Sequence, residues 1–453
     1  MNWTHKLGLA ALTGMLLGSV PASAQVAGWL EDRDRAQGPG FQLGDFELHP
    51  GLGVEIGYDS NLYYSQDGAG RIPFRDSAIL RAVAHLMISS RGPARREGGE
   101  GAGEEGHDAA LPAVRFRGGL SGSFYHFFND ENRTNMEVDA DLELTILPGR
   151  PFSIVLANTF GRRIRPFTEL VVEGTSFARL QNDGGIRFDF QTDGGVLRVS
   201  AGYNIALNFF EDAPFGYGNS LRHAITLSET FRFLPQTAII HDTSVRIIDF
   251  FGPPGLRTPE VNDGILVRTR VGLNGAITPE FSVLGMVGYG AGFFEPHSPT
   301  VEQEFESLVA QVEARWQILP NVRLSFGYDR DFYPSLIGNF YRMDRGYIRT
   351  QFLIDRVFLL GADVSLGYFE FGRLYDNMGG LLGTGADRDD IRFLGSLFAE
   401  YRFTDWLGVN ATFNYRGTFT DYQYDIAVPG MGPILDPAGF NKFQVWLGVR
   451  VFY

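Results

Sequence analysis

The chain has 453 residues, a formal net charge of −14, no cysteine, 57 glycines and 39 phenylalanines. The acidic balance argues against nucleic acid as a partner, and the lack of cysteine removes disulfides, thiolate metal sites and cysteine nucleophiles. Beyond Val26 no stretch approaches the ~18 apolar residues of a membrane helix, so a helical membrane protein is excluded, whereas a barrel with alternating faces is not.

Residues 1–24 read as a secretory signal. Lys6 ends a short charged start, Leu7 to Val20 form an apolar run too short to span, and Ala22-Ser23-Ala24 supplies an A-x-A cleavage site. Cleavage is expected after Ala24, leaving residues 25–45 as a periplasmic N-terminal segment and residues 46–453 as the folded body. Only two lysines occur, Lys6 and Lys442, so arginine carries nearly all the positive charge; a GC-rich genome and a functional preference explain this equally well.

From Leu48 onward the apolar residues recur with period two, as in strands that have one greasy and one polar face. Met136, Val138, Ala140, Leu142, Leu144 and Ile146 oppose Glu137, Asp139, Asp141, Glu143 and Thr145. Leu197, Val199, Ala201, Tyr203, Ile205, Leu207 and Phe209 oppose Arg198, Ser200, Gly202, Asn204, Ala206 and Asn208. The pattern recurs from Ile391 to Phe403 and in the closing run Phe443 to Tyr453. Such strands exceed the ~5–6 residues usual in soluble sheets and reach the ~9–11 of a tilted membrane strand.

Very short connections, such as Pro148-Gly149-Arg150, Leu234-Pro235-Gln236, Thr278-Pro279-Glu280, Leu319-Pro320-Asn321 and Thr404-Asp405, alternate with long ones. The long set includes Asp59–Arg75, Arg165–Phe177, Gly252–Asp263, Gly372–Asp389 and Tyr422–Asn441. That rhythm predicts an all-β, transmembrane, antiparallel up-and-down barrel of about 18 strands (16–20), with tight periplasmic turns and longer outer loops. The expected strand centres are residues 54, 84, 120, 141, 157, 186, 203, 227, 243, 270, 288, 312, 326, 349, 363, 397, 413 and 447. Girdle aromatics are expected at both ends. Phe152, Phe233, Phe281, Trp316, Phe403, Trp406 and Tyr453 mark the turn end; Tyr63, Phe128, Phe160, Phe209, Phe250, Phe293, Phe332, Phe371 and Phe419 mark the loop end. Residues 91–111, rich in Gly, Glu and Arg, read as a disordered acidic insertion.

If the apolar face meets lipid, the other face lines a channel. The expected lining is Arg115, Arg117, Glu137, Asp139, Asp141, Glu143, Arg187, Arg198, Asn204, Arg232, Arg268, Arg270, Arg315, Arg323, Asp329, Arg349 and Arg402. Charges this dense need water or each other. The run Glu137–Glu143 is expected beside Arg115 and Arg117, either as cross-strand pairs or as solute contacts. No enzyme is expected: the histidines are scattered, and neither H-E-x-x-H, G-x-S-x-G nor a phosphate loop occurs. His223 and Ser228 fall on opposite faces of one strand. No cofactor or metal site is expected.

Gly53-Val54-Glu55-Ile56-Gly57-Tyr58-Asp59-Ser60-Asn61-Leu62-Tyr63 resembles the opening strand of the β-barrel porin 2 family. Leu324-Ser325-Phe326-Gly327-Tyr328-Asp329-Arg330-Asp331-Phe332-Tyr333 and Gly338-Asn339-Phe340-Tyr341-Arg342-Met343-Asp344-Arg345 resemble its later G-Y-x-R-D-F and G-N-Y-x-x-x-D-R region. The resemblance extends from about Phe46 to Tyr453 and implies an outer-membrane passage for a secreted exopolysaccharide or capsule, working with a periplasmic polysaccharide export protein. Leu447-x-Val449-x-Val451-x-Tyr453 is similar to the terminal signal read by the barrel assembly machinery. A general or solute-specific diffusion porin and a structural, adhesion or motility-associated barrel are the other readings. In the export reading, the loops Gly372–Asp389 and Tyr422–Asn441 gate the outer mouth.

Overall fold

The computed structural model describes residues 40–66, 74–90, 113–130, 133–164, 178–252, 262–295, 304–335, 338–355, 357–373, 388–427 and 433–453. The signal read in residues 1–24, most of segment 25–45, the insertion at 91–111, most of the expected gating loop Gly372–Asp389 and residues 428–432 of the other lie outside the described residues.

The described chain starts with β1 (Phe41–Leu43), which folds back on β2 (Phe46–Asp59) in a tight hairpin. Next come β3 (Ser77–Ser90), β4 (Val114–Phe127), β5 (Asn135–Ile146), β6 (Phe152–Arg163), β7 (Arg179–Gln191) and β8 (Leu197–Phe210). They are followed by β9 (Ser220–Leu234), β10 (Thr237–Phe250), β11 (Gly264–Thr278), β12 (Phe281–Phe294), β13 (Glu304–Leu319) and β14 (Val322–Pro334). The chain continues through β15 (Phe340–Ile354), β16 (Phe358–Phe371), β17 (Asp389–Thr404) and β18 (Leu407–Phe419). A loop hairpin, β19 (Gln423–Ala427) with β20 (Pro433–Pro437), then leads to β21 (Phe440–Phe452).

Strands β2 to β18 pair antiparallel in chain order, and β21 fills the gap between β18 and β2, so eighteen strands close on themselves. Closure matters physically: a membrane strand with an open edge would leave a row of N–H and C=O groups in hydrocarbon. Every expected strand centre falls inside one observed strand. The β1 hairpin is an addition to the expected N-terminal segment; its Phe41 stacks on Tyr453, ring centroids 4.1 Å apart.

The tight turns follow from local chemistry. At 234–237, 278–281, 319–322 and 404–407 two residues reverse the chain, three of the pairs opening on proline, and a register shift beside each turn absorbs the extra twist. The Thr278 and Thr404 hydroxyls accept from the backbone N–H of Phe281 and Leu407, both at 3.1 Å.

Which face is inside is settled by contacts between strands that are not neighbours, possible only on the concave side. Arg268 on β11 reaches Asp331 on β14. Tyr347 on β15 donates to Glu313 on β13, and Arg81 on β3 lies 4.4 Å from the Trp446 ring centroid on β21. The opposite face exposes Leu52, Val54, Ile56, Leu120, Leu142, Val271, Leu397 and Leu447, among many others. An apolar exterior around a charged interior is the inverse of a soluble protein, and it defines a transmembrane β-barrel.

Candidate channel lining

The register places all seventeen expected lining residues on the concave face. Arg115 and Arg117 stand on β4 opposite Thr145 and Glu143, and Arg187 on β7 stands opposite Gly202. Arg198 and Asn204 on β8 face Thr230 and Ala224, while Arg232 on β9 faces Ala238. Arg268 and Arg270 on β11 face Ser244 and Asp242, and Arg315 on β13 faces Ser325. Arg323 and Asp329 on β14 face Gln351 and Arg345. Arg349 on β15 faces Asp363, and Arg402 on β17 faces Gly408.

The acidic run of β5 differs in detail from the expectation. Only Glu143 is level with Arg117; Asp141, Asp139 and Glu137 lie opposite Gly119, Ser121 and Ser123. Asp139 instead pairs with Arg163 on the far side, and Glu137 accepts from the Tyr125 hydroxyl at 3.0 Å.

The lining has a dry sector and a wet one. Where the first and last strands meet, Glu55 accepts from Arg450 at 2.9 Å and from Asn410 at 3.0 Å, and pairs with Arg81. Glu400 bridges Arg450 at 3.5 Å and Arg402 at 3.0 Å. Glu55, Glu400 and Arg450 are at most 2 % exposed, so the charges neutralise one another rather than meeting water. Toward the loop end of the same seam, Lys442 meets Asp59 at 2.7 Å and donates to the Asn61 carbonyl at 2.9 Å. The Asn61 amide in turn donates to the carbonyls of Ser65 and Asn441.

Next to that seam, Arg349 on β15 and Asp363 on β16 pair at 2.6 Å with 53 % and 46 % of their side chains accessible. Arg315 beside Glu313 is similarly open, at 43 %. Across the barrel from the seam, Asp242 holds Arg270 at 2.8 Å, and beside the open pair Asp329 holds Arg345 at 3.2 Å. The result is a lining of paired, fixed charges, most open to water at Arg349, Asp363 and Arg315 on β13 to β16 and also at Asp139 on β5.

Several loop-end aromatics depart from the girdle expectation. Tyr63, Phe250, Phe332 and Phe371 are buried inside instead of facing lipid. Phe250 and Phe371 carry the inward parity of their strands, which nearness to a strand end does not reveal. Together with neighbours they form three interior clusters near the outer mouth: Leu62, Tyr63 and Phe210; Ile248, Phe250, Leu266, Val309 and Phe332; and Met343, Phe369 and Phe371. Arginines cap the last of these: Arg388 lies 4.3 Å from the Phe371 ring centroid, and Arg392 lies 4.3 Å from that of Phe369. The Tyr63 hydroxyl, which donates to Asp130 at 2.5 Å, is pushed up to about 12 by burial and by that carboxylate. Phe128, Phe209, Phe293 and Phe419 do face outward, as do Phe152, Phe233, Trp316, Phe403, Trp406 and Tyr453 at the turn end.

Glu55, Arg81 and Lys442 went unassigned in the sequence. Arg81 is hidden in the apolar run Ala78–Ala84, and Glu55 lies between glycine-rich positions; parity against Ile56 and Leu80 was the available signal. Of the segments that carried the family resemblance, the two on β14 and β15 pair with each other, while Asp331 turns to Arg268 on β11. The hydroxyl of Tyr328 donates to Asp344, and Asp329 pairs with Arg345. Gly338 has φ +70°, and a Cβ there would collide with the Gly372 carbonyl.

These features define the class: a transmembrane β-barrel with a charged, partly hydrated interior. No family model matches the chain, and no curated protein matches it in sequence. Among solved structures it is similar to the siderophore receptor PirA from Pseudomonas aeruginosa, at 11 % identity over 90 % of this chain and 80 % of that one, TM-score 0.43. It is also similar to the FrpB iron transporter from Neisseria meningitidis (10 % identity, 91 % and 82 % covered, TM-score 0.45). A third is OccK2 (OpdF) from Pseudomonas aeruginosa, solved with glucuronate (10 % identity, 89 % and 98 % covered, TM-score 0.44). With likeness this distant, function is read from the barrel's own residues.

Proposed function

We propose that this protein is a diffusion channel of a Gram-negative outer membrane for small hydrophilic solutes. The observation that carries the reading is the wet wall. Arg349, Asp363 and Arg315 stay open to water inside a closed barrel, and about 16–18 strands suffice for an aqueous bore. Fixed, paired charges present a field to a passing ion without any one group binding it tightly. The interior aromatic clusters favour a size limit near the outer mouth.

Passage of an exopolysaccharide, with a periplasmic export protein as partner, rests on the two resembling segments alone. In the barrel those segments serve internal pairing. The test is single-channel recording of the refolded barrel in planar bilayers, with oligosaccharides of graded length added. Discrete conductance with a cut-off at short oligomers supports the diffusion channel. Entry of long chains overturns it in favour of export, and a folded but silent barrel overturns it in favour of a structural role.

A further inference from the structure

Strand parity turns a run of polar side chains on β8 to β11 toward the membrane, as it does Asn158 and Asn182 on β6 and β7. Glu229 on β9 and His241 on β10 are register partners, with His241 Nδ1 3.5 Å from Glu229 Oε2. Their side chains are 45 % and 35 % exposed on the face shared with Ile225, Phe231, Ile239 and Val271. Deeper in the belt, Thr243 and Thr269 are also register partners, their hydroxyls 2.8 Å apart. His241 Nε2 lies 3.1 Å from the first and 3.2 Å from the second. Toward the loop end, the Tyr203 hydroxyl lies 2.7 Å from His223 Nδ1. Phe231 and Phe233 mark the turn-end boundary below this stripe, so Glu229 and His241 stand inside the girdle.

Elsewhere among the described residues, outward ionisable groups sit toward the loop end, as Arg330 and Asp344 do beside Tyr328. Hydrocarbon offers the Glu229–His241 pair nothing beyond itself and the two threonines, and ionisable residues at membrane depth as a rule face protein and not lipid. The stripe contains an acid, a base and hydroxyls that both donate and accept. It is therefore complementary to itself: a twofold axis near Thr243 brings Glu229 of one chain toward His241 of the other, the contact type of an isologous dimer.

We propose that this stripe on β8 to β11 is the contact between two copies of this chain in the membrane. The absence of cysteine makes the test clean. Thr243→Cys and, in a remote sector of the belt, Leu397→Cys are each refolded into phospholipid vesicles and oxidised. A Thr243→Cys disulfide needs the two Cα atoms within ~7 Å, so about tenfold more linked dimer than for Leu397→Cys is expected. Equal yields overturn the proposal, as does a Thr243→Cys adduct with a different protein in native membranes. In parallel, light scattering in detergent should give twice the chain mass for the unaltered protein and a single chain for the Glu229→Leu/His241→Leu variant. Heat-modifiable gel migration confirms in each case that the barrel has closed, which separates a lost contact from a failed fold. A single-chain mass for the unaltered protein overturns the proposal.

Discussion

Replacing Glu55 with alanine removes the hub of the buried seam. Its carboxylate holds Arg450 at 2.9 Å, Asn410 at 3.0 Å, and Arg81. Breaking a buried pair by deleting one partner costs about 3–5 kcal/mol, because a charge is left without compensation. The structure narrows this range. Arg450 keeps Glu400 at 3.5 Å, and Arg81 keeps the Trp446 ring at 4.4 Å, the latter contact worth about 0.5–2 kcal/mol. The expected loss is therefore about 3 kcal/mol, roughly a 150-fold shift in the folding equilibrium. Urea titration of the barrel in phospholipid vesicles, following the heat-modifiable fraction, measures it. A Glu55→Ala/Arg81→Met double variant should recover a substantial part, since it no longer strands the second charge. A Glu55→Ala loss below about 1 kcal/mol, the range of a solvated pair, would refute the claim that the seam is dry.

Other expectations rest on face and exposure. Arg349→Glu acts on a half-open pair, so stability should change by no more than about 1 kcal/mol while the reversal potential in a salt gradient moves toward cation preference; an unmoved potential removes Arg349 from the conducting wall. Adjacent positions on β17 should behave oppositely. Leu397→Arg puts a charge in the belt and destabilises by about 2–4 kcal/mol, whereas Ser396→Arg should fold normally and lower the single-channel conductance. Equal destabilisation would contradict the assigned faces. Gly338→Ala forces a side chain into a left-handed backbone position, at a cost of about 1–2 kcal/mol, and into the Gly372 carbonyl. Proteolysis of intact vesicles should cleave the β14–β15 connection faster in this variant, and unchanged cutting would show that the position relaxes freely.

The barrel was legible because its two faces meet different solvents. Period-two runs such as Leu197–Phe209 carry that difference along the chain, and Pro235, Pro279 and Pro320 mark the reversals between runs. The inward placement of Arg198 or Asn204 was legible for the same reason, as parity alone assigns each a face. Partnership was not. Arg268 and Asp331 stand 63 positions apart and meet only because the wall curves, while Asp139 chose Arg163 over the arginines of β4. The inward turn of Phe250 and Phe371 was present in the parity of their strands, but nearness to a strand end, which suits a lipid boundary and an interior cluster equally well, masked it; for Phe332 parity gave no such signal. The hairpin at Phe41–Leu43 is too short to leave a periodic trace.

The seam between β2 and β21 carries a consequence for assembly. Glu55 and Arg450 are separated by 395 positions, so bringing them together costs about 5 kcal/mol in loop-closure entropy if nothing between them is ordered. Sequential hairpin addition removes most of that penalty by growing the wall strand by strand, and the cluster of Glu55, Arg81, Glu400 and Arg450 then locks only when the final strand docks. Until that moment the Glu55 carboxylate on the first strand is bathed by the aqueous interior, so an unfinished wall can wait without exposing charge to oil. The latch thus reports completion: a truncated chain lacking β21 would insert its hairpins yet never acquire the resistance to denaturant of the closed ring.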